Sequence, residues 1–428
     1  MSGAGRLKLF RTGIFPSTPR QEKGRHMKVL VINAGSSSCK YQLLEMDTQS
    51  VLCSGLAERI GQTSGRLTHK IAPDTDKESK LVREAAFPTH VEAMELVIAL
   101  LTDPEVGVIK DKGEIFAIGH RVLHGGESIT DPVLVDSHVK DIIKDCFLLG
   151  PLHNPANLMG IEVAEKLFPG VPNVAVFDTE FGMGMPPEAY MYALPYELYE
   201  ELKIRRYGFH GTSHRFVSAR AIELLGLKGK ESKIIVCHLG NGSSLSAVVN
   251  GKCVDTSMGL TPLEGVLMGT RSGDLDPAVV ECIANNEHLT PTETLNLLNK
   301  KSGLMGLSGV SSDMRDVYTA AEAGNERAQM TLDIWAYRVK KYIGAYAAAM
   351  GGLDAVIFTA GIGENDKRSR ASVCEGLEFM GIKLDPEKNN IRGVEAEISA
   401  ADSKVKVWVI PTNEELAIAR DTLELVSK

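Results

Sequence analysis

Two arginines stand out by their surroundings: Arg121 in GHRVLHGGE (119–127), between two histidines and ahead of a double glycine, and Arg271 in the glycine-rich LMGTRSGDLDP (267–277). Guanidinium groups held in ordered loops are what an anionic substrate and a charge-spreading phosphoryl transition state require. A solvated loop arginine would serve no such purpose, so the pair needs further support. Asp178 closes the apolar run of AVFDTEF (175–181), a place for a metal ligand, a base or a turn former. His210 and His214 follow in YGFHGTSH (207–214) at helical i,i+4 spacing. That is half of a metal site, but HExxH is missing and no third ligand is evident, so zinc is not expected. A serine hydrolase is poorly supported as well, because no GxSxG occurs.

Phosphate chemistry needs a cradle as well as charges. VLVINAGSSSCKYQLLE (29–45) and IIVCHLGNGSSLSAVVN (234–250) share one layout: four strand residues, a polar Gly/Ser turn, then a strand resuming the alternation. Such turns offer free backbone N–H groups and hydroxyls, and glycine permits close approach of a phosphate. Two independent surface hairpins would read the same way. A third glycine turn, FTAGIGEN (358–365), ends the apolar strand Ala355-Val356-Ile357-Phe358 and favours the phosphate reading. Dinucleotide binding is weakly supported, since Asp366 stands where a third fingerprint glycine would be. A Walker A loop is absent: Gly229-Lys230 and Gly251-Lys252 are followed by Glu231 and Cys253.

The elements that would position these residues follow an α/β pattern from Lys28 onward. Strands are predicted at 28–33, 40–46, 115–119, 173–178, 233–238, 244–249, 354–359 and 405–410. A helix is predicted to start at His153-Asn154-Pro155, with Asn154 as cap, and to stop at Pro169-Gly170. A longer helix is expected from about Ala328 to Met350, ended by Gly351-Gly352. The last helix is expected to open on a capping box between Thr412 and Glu415.

Composition narrows the class. At 428 residues, 43% hydrophobic, the chain fills one or two sizeable cores, in two or three domains. A net charge of −8 and the lack of a Lys/Arg block in the folded region argue against nucleic acid. The longest apolar-rich stretch, Ile343 to Leu353, is short and broken by glycine, so no membrane span is expected. Seven scattered cysteines without a CxxC pair suit a reducing cytoplasm, not a disulfide framework or a structural zinc site. Residues 1–26 are basic, nearly free of acids and without clear period: a targeting segment, an upstream start or a tail outside the fold, which is expected to begin at Met27.

In order, VLVINAGSSSCKYQL, HRVLHGGE, GPLHNPAN, FDTEF, RRYGFHGTSH, CHLGNGSSLSAV, DTSMGLTPLEGVLMGTRSGDLDP, FTAGIGEN and IPTNEELAIARDT resemble the acetate kinases, over nearly everything after Met27. The resemblance implies an α/β fold of two duplicated ribonuclease H-like units, as in actin, hexokinase and Hsp70, with the active-site cleft between them. The units would be 27–179 plus 415–428, and 180–414. It implies reversible transfer of a phosphoryl group from ATP to acetate, giving ADP and acetyl phosphate, with Mg2+ or Mn2+, in a cytoplasmic homodimer. Asp178, His210, Arg271 and Arg121 match the catalytic set. Leu123, Leu152, Phe209 and Pro262, with Arg121, match the acyl pocket. Asn33, Ser36, Ser38 and Lys40 match the first phosphate turn, and Asn33 and Glu414 the residues near the metal. Nucleotide contacts would come from His238, Leu239, Gly240, Asn241 and Gly242, from Asp313, Met314 and Arg315, and from Gly361, Ile362, Gly363, Glu364 and Asn365. A propionate or butyrate kinase of the same family is the alternative, and a nucleotide-dependent switch protein a more distant one. Leu123 stands where many relatives have valine. Gly182 and Met183 replace a usual His-Gln, and Glu180 a usual alanine, which puts a contact near the domain junction in doubt. Cys39, where relatives often have leucine, reads as a small buried hydrophobe and not a catalytic thiol.

Overall fold

The structure, a computed structural model, describes residues 27–151 and 153–428; the extension read at 1–26 and the pocket role given to Leu152 lie outside the described residues. Two sheets organise the chain. The first holds β1 (Lys28–Gly35), β2 (Ser38–Glu45), β3 (Ser50–Glu58), β4 (Gly65–Ile71), β5 (Ser79–Ala85), β6 (Ile115–Val122), β7 (Val133–Leu134) and β8 (Asn173–Phe177) in the order β5-β4-β3-β2-β1-β6-β8-β7. The second holds β9 (Lys233–Leu239), β10 (Ser243–Val249), β11 (Lys252–Thr256), β12 (Ala355–Thr359), β13 (Ala396–Glu397) and β14 (Lys406–Val409) in the order β11-β10-β9-β12-β14-β13.

The same motif stands at the centre of both. β1 pairs antiparallel with β2 and parallel with β6, and β6 runs parallel to β8. β9 pairs antiparallel with β10 and parallel with β12, and β12 runs parallel to β14. The two Gly/Ser segments are therefore equivalent hairpins of a repeated unit.

The central strands read as unbroken apolar runs because both of their faces are covered. Leu30 and Ile32 pack with Val97 of the helix His90–Leu101 and Val163 of the helix Asn154–Leu167, while Val29 and Val31 turn the other way to meet Ile418 and Ala419 of the helix Glu414–Val426. In the second sheet Ile235, Cys237 and Phe358 face Trp335 and Val339 of the helix Glu326–Met350. Ile234, Val236 and Ile357 face Val217 and Ala221 of the helix Gly211–Leu224. The last helix thus crosses back from the second sheet to cover the first.

All eight predicted strands form. β3, β4, β5, β7, β11 and β13 were not foreseen, and they lie toward the sheet margins, where one face is solvated and apolar alternation fades; β5, SKLVREA, is almost wholly exposed. Two caps differ from expectation. His153, not Asn154, is the N-cap residue of Asn154–Leu167, because the Asn154 amide is committed to tertiary bonds: it accepts from His124 N at 3.1 Å and donates to His124 O at 2.9 Å. Asn413, not Thr412, caps the last helix by accepting from Leu416 N at 3.0 Å, and no capping box joins Thr412 to Glu415. Thr412 instead meets Ser213 Oγ at 2.8 Å, and Glu415 pairs with Lys40. The stretch read as a third glycine turn is a short helix, Ala360–Asn365, entered through Ala360 at φ 65°.

Near the junction, Gly182 is required by space: a Cβ there would lie 2.0 Å from the Tyr207 carbonyl oxygen. Glu180 is buried, with Oε1 3.1 Å from Arg215 Nη2, and Arg215 is also paired with Asp421 of the last helix by two bonds. The departures at 180–183 therefore coincide with a buried charged cluster tying the helix Gly211–Leu224 to the helix Glu414–Val426.

Candidate active site

One cavity opens between the two sheets, and eight of the residues picked out in the sequence line it. Asn33 comes from β1, Arg121 from β6, Asp178 from the end of β8, and Leu123 from just past β6. Phe209 and His210 come from the loop before the helix Gly211–Leu224, and Pro262 and Arg271 from the long loop after β11. Residues scattered over 239 positions converge because each sits at or beside the same ends of the central parallel strands, the usual ligand edge of an α/β sheet.

The two arginines differ in state. Arg121 forms a two-point ion pair with Asp178, Nε to Oδ1 at 2.9 Å and Nη2 to Oδ2 at 2.7 Å, and its Nε lies 3.7 Å from Glu414. Asp178 beside it holds the guanidinium firmly protonated. Arg271 has no carboxylate partner among the described residues; Nη1 donates to the Pro262 carbonyl at 3.3 Å and touches Met268 Sδ at 3.9 Å. Burial pulls its pKa down, the sign of a charge with too little to balance it. An anion entering the cavity would supply that balance.

His210 is held at φ 57°, one residue ahead of its helix, so that its ring turns into the cleft. Nδ1 bonds Ser244 Oγ at 2.9 Å, and the ring stacks on His238 at 4.2 Å between centroids. Burial first, then His238 and His214, push its pKa well below the ordinary histidine value, so the ring is neutral. His214 is buried behind it and meets the same Ser244 Oγ through Nε2 at 2.7 Å. The two histidines flanking Arg121 also turn away: His120 binds Asn173 Oδ1 at 2.7 Å, and His124 lies edge-on to Tyr207, 4.4 Å between centroids.

The apolar wall is buried. Leu123 and Phe209 pack with Met258 and Met268 in one buried cluster. Asn157 and His153 also line the cavity and were not singled out beforehand. Asn157 donates from Nδ2 to Ala34 O at 2.8 Å and accepts from Leu123 N at 3.0 Å, bridging the first hairpin to the apolar wall. Its only signal was its place in GPLHNPAN, three residues along the helix from Asn154.

The remaining predicted residues surround this centre. Ser36 is at the exposed tip of the first hairpin and Ser38 and Lys40 on its returning strand, with Asn33 opposite Lys40 in register. Gly240, Asn241 and Gly242 form the tip of the second hairpin, which Gly269 N joins through Asn241 O at 3.0 Å, bracing the Arg271 loop against it. Leu239 and Met314 are buried in the second core, so only their backbones are available to a ligand. Buried His238 Nδ1 is engaged by Ser213 Oγ at 2.8 Å. Asp313 caps the helix Met314–Glu322 and pairs with exposed Arg315 at 2.6 Å. In the short helix at 360–365, Gly361 is exposed, Ile362 half-buried and Gly363 buried; Asn365 Nδ2 donates to Gly361 O at 2.9 Å. Glu364 accepts from Ala360 N at 2.7 Å and Thr412 N at 3.1 Å. Buried Arg370 clasps that helix by donating to the Gly363 and Glu364 carbonyls at 2.9 and 3.1 Å. Cys39 is buried against Met94, its thiol pushed up to about 12 by burial, as a packing residue should be. Among the described residues no cluster of three or more His, Cys, Asp or Glu is placed to hold a metal, and no helix is long and apolar enough to cross a membrane.

A repeated β3-β2-β1-β6-β8 order, with hairpin tips facing one cleft that holds two arginines, defines the actin-like class of ATP-dependent phosphotransferases. Within that class the match is close. The Acetokinase family profile covers residues 28–420. The chain is 66% identical over 404 residues to the acetate kinase of Desulfovibrio desulfuricans, spanning 94% of this chain and all of that one. The crystal structure of Porphyromonas gingivalis acetate kinase aligns with a TM-score of 0.89 at 48% identity, over 94% of this chain and 100% of that one. A propionate kinase from Francisella tularensis subsp. tularensis aligns with a TM-score of 0.87 at 41% identity, over 93% and 100%. The chain belongs to the Acetokinase family.

Proposed function

We propose that this enzyme is an acetate kinase, moving the γ-phosphoryl group of ATP directly and reversibly onto acetate. The observation that carries the reading is the meeting, in one cavity, of His210, an arginine with no carboxylate partner among the described residues and a small buried apolar wall. That combination fits a carboxylate with a very short tail. Acetate is already ionised at neutral pH, so no strong base is needed, and rate comes from in-line placement and cancellation of charge on the phosphoryl group. Arg121, oriented by Asp178, holds the acyl carboxylate; Arg271 and His210 face the transferring group. Both Asp178 oxygens are occupied by Arg121, which supports an orienting role over that of a proton acceptor.

The family implies Mg2+, and the donors present suit it. Asn33, Asp178 and Glu414 offer only oxygen, the preference of a hard cation that also takes phosphate oxygens and water. Burial first, and then Asp178 and Glu415 against the opposing pull of Arg121, push Glu414 up, a crowding that a cation would relieve. Asn33 and Glu414 would hold the ion, which would neutralise charge on the nucleotide phosphates. The hairpin tip at 240–242, Asp313 to Arg315 and the helix at 361–365 would hold the nucleotide, with units 27–179 plus 415–428 and 180–414 closing over it. A cytoplasmic homodimer belongs to the same reading.

The likeness to a propionate kinase keeps a second substrate in view, and Leu123 argues for the smaller one. Hydroxamate trapping of acyl phosphate with ATP, Mg2+ and a panel of short carboxylates tests both. Acetate should dominate, propionate lag and butyrate be nearly excluded. ATP hydrolysis indifferent to any carboxylate would instead mark a nucleotide switch.

A further inference from the structure

Ser244 lies on the buried strand β10, where Val248 on the same face packs against Val217 and Ala221 of the helix Gly211–Leu224. Its hydroxyl is engaged, whereas that of Ser246, the next residue on the same face, has no partner among the described residues. The Ser244 hydroxyl is used twice, by His210 Nδ1 at 2.9 Å and by His214 Nε2 at 2.7 Å. A hydroxyl can accept from both rings, but its own buried proton would then have no acceptor among the described residues, because His210 and His214 are the partners Ser244 Oγ has; one nitrogen therefore donates to it and the other accepts from it.

The choice is decided at the far end. His214 Nδ1 is buried with no hydrogen-bond partner among the described residues. If that nitrogen carried the proton, the structure would hold an orphaned buried N–H, a rarity in folded proteins. If Nε2 carries it, the orphan is only a lone pair. His214 Nε2–H then donates to Ser244, Ser244 donates to His210 Nδ1, and the His210 proton is left on Nε2. A Cβ on Gly242 would lie 3.3 Å from that Nε2 and 3.6 Å from Arg271 Nη1, so the two groups flank the second hairpin tip together. Among the described residues Nε2 has no protein partner.

We propose that His214 and Ser244 are positioning residues that lock His210 in its Nε2–H tautomer, aiming a neutral hydrogen-bond donor into the cleft beside Arg271. The inference rests on the role given above to His210. The alternative tautomer would point a lone pair at the phosphoryl oxygens and repel them.

The test is a long-range 1H–15N spectrum of the full-length enzyme labelled with [15N]histidine. Wild type should show His210 and His214 both protonated at Nε2; a protonated Nδ1 on His210 overturns the proposal with no variant needed. Ser244→Ala and His214→Leu should leave His210 a mixture of tautomers. They should lower kcat by about 10- to 100-fold, the scale for losing a group that orients a working histidine, with KM for ATP and acetate nearly unchanged. His214→Gln, which returns an N–H near the Nε2 position, should restore both tautomer and turnover. An unchanged tautomer in Ser244→Ala overturns the relay. A changed tautomer with unchanged kcat upholds the relay and instead overturns the proposed role of His210.

Discussion

Arg121 and Asp178 face each other across the neighbouring parallel strands β6 and β8, joined by two bonds of 2.9 and 2.7 Å, whereas Arg271 across the cleft has no carboxylate partner among the described residues. One arginine is fixed and the other is waiting for charge. Arg121→Ala and Arg271→Ala should each lower kcat by on the order of 10²-fold or more, the scale for removing a transition-state charge partner. Steady-state acyl phosphate formation measures it, and turnover near wild type in either variant would end the assignment.

On the proposed reading, Leu123 sets the tail length. It is buried with Phe209, Met258 and Met268, and none of these can move aside without opening a void. Leu123→Val should raise kcat/KM for propionate relative to acetate, by up to the ~1–3 kcal/mol that one methylene is worth in a tight pocket. The ratio of the two specificity constants is the readout, and a ratio equal to that of wild type would place the limiting wall elsewhere.

The pH dependence of turnover should bear the mark of a neutral His210. Because burial and then His238 hold its pKa well below 6.5, lowering the pH through 6.5 should not charge it. Log kcat against pH should therefore stay flat through the ordinary histidine range. A loss of activity centred near 6.5 that disappears in His210→Gln would show a ring that titrates normally.

Glu180 offers a test on stability. Its 3.1 Å contact with Arg215 favours a carboxylate, but Arg215 is already committed to Asp421, and burial prevails, raising Glu180 from 4.5 to about 8. The folded state thus binds this proton more tightly than the unfolded chain does. Its stabilising effect is complete below pH 4.5 and is lost as the pH rises toward 8. Glu180→Gln, which keeps the volume and cannot ionise, should flatten the fall in Tm across that interval. Thermal unfolding at several pH values decides it, and parallel curves for the two proteins would mean that Glu180 is ionised throughout.

The central strands were legible because burial on both faces writes an apolar run into the chain, and the hairpins because glycine and serine mark their turns. β4 and β5 were not, since marginal strands need only pair, and pairing leaves little trace in side-chain type. Local capping rules misplaced Asn154 because a contact 30 residues away, at His124, outbids the helix end for its amide. Arg121, Arg271, Asp178 and His210 were found from their types and from family motifs, yet nothing local said that Arg121 is paired and Arg271 is not. The link from His214 through Ser244 to His210 was invisible for the same reason: it depends on three residues meeting across a strand and a helix 30 or more positions apart.

The helix Glu414–Val426 has a bearing on synthesis. Val29, Val31, Val174 and Val176 are among the early parts of the described chain to be made, and their cover, Ile418 and Ala419, is among the last. Domains generally fold as units while the chain emerges from the ribosome, but this first sheet leaves the tunnel with one face bare. That face must wait, while the whole of the second sheet is made, for its cover. Premature termination just before Glu414 would strip that sheet of its lid and the cleft of a carboxylate together, so a truncated product would expose apolar surface to chaperones and proteases instead of lingering as a half-working enzyme.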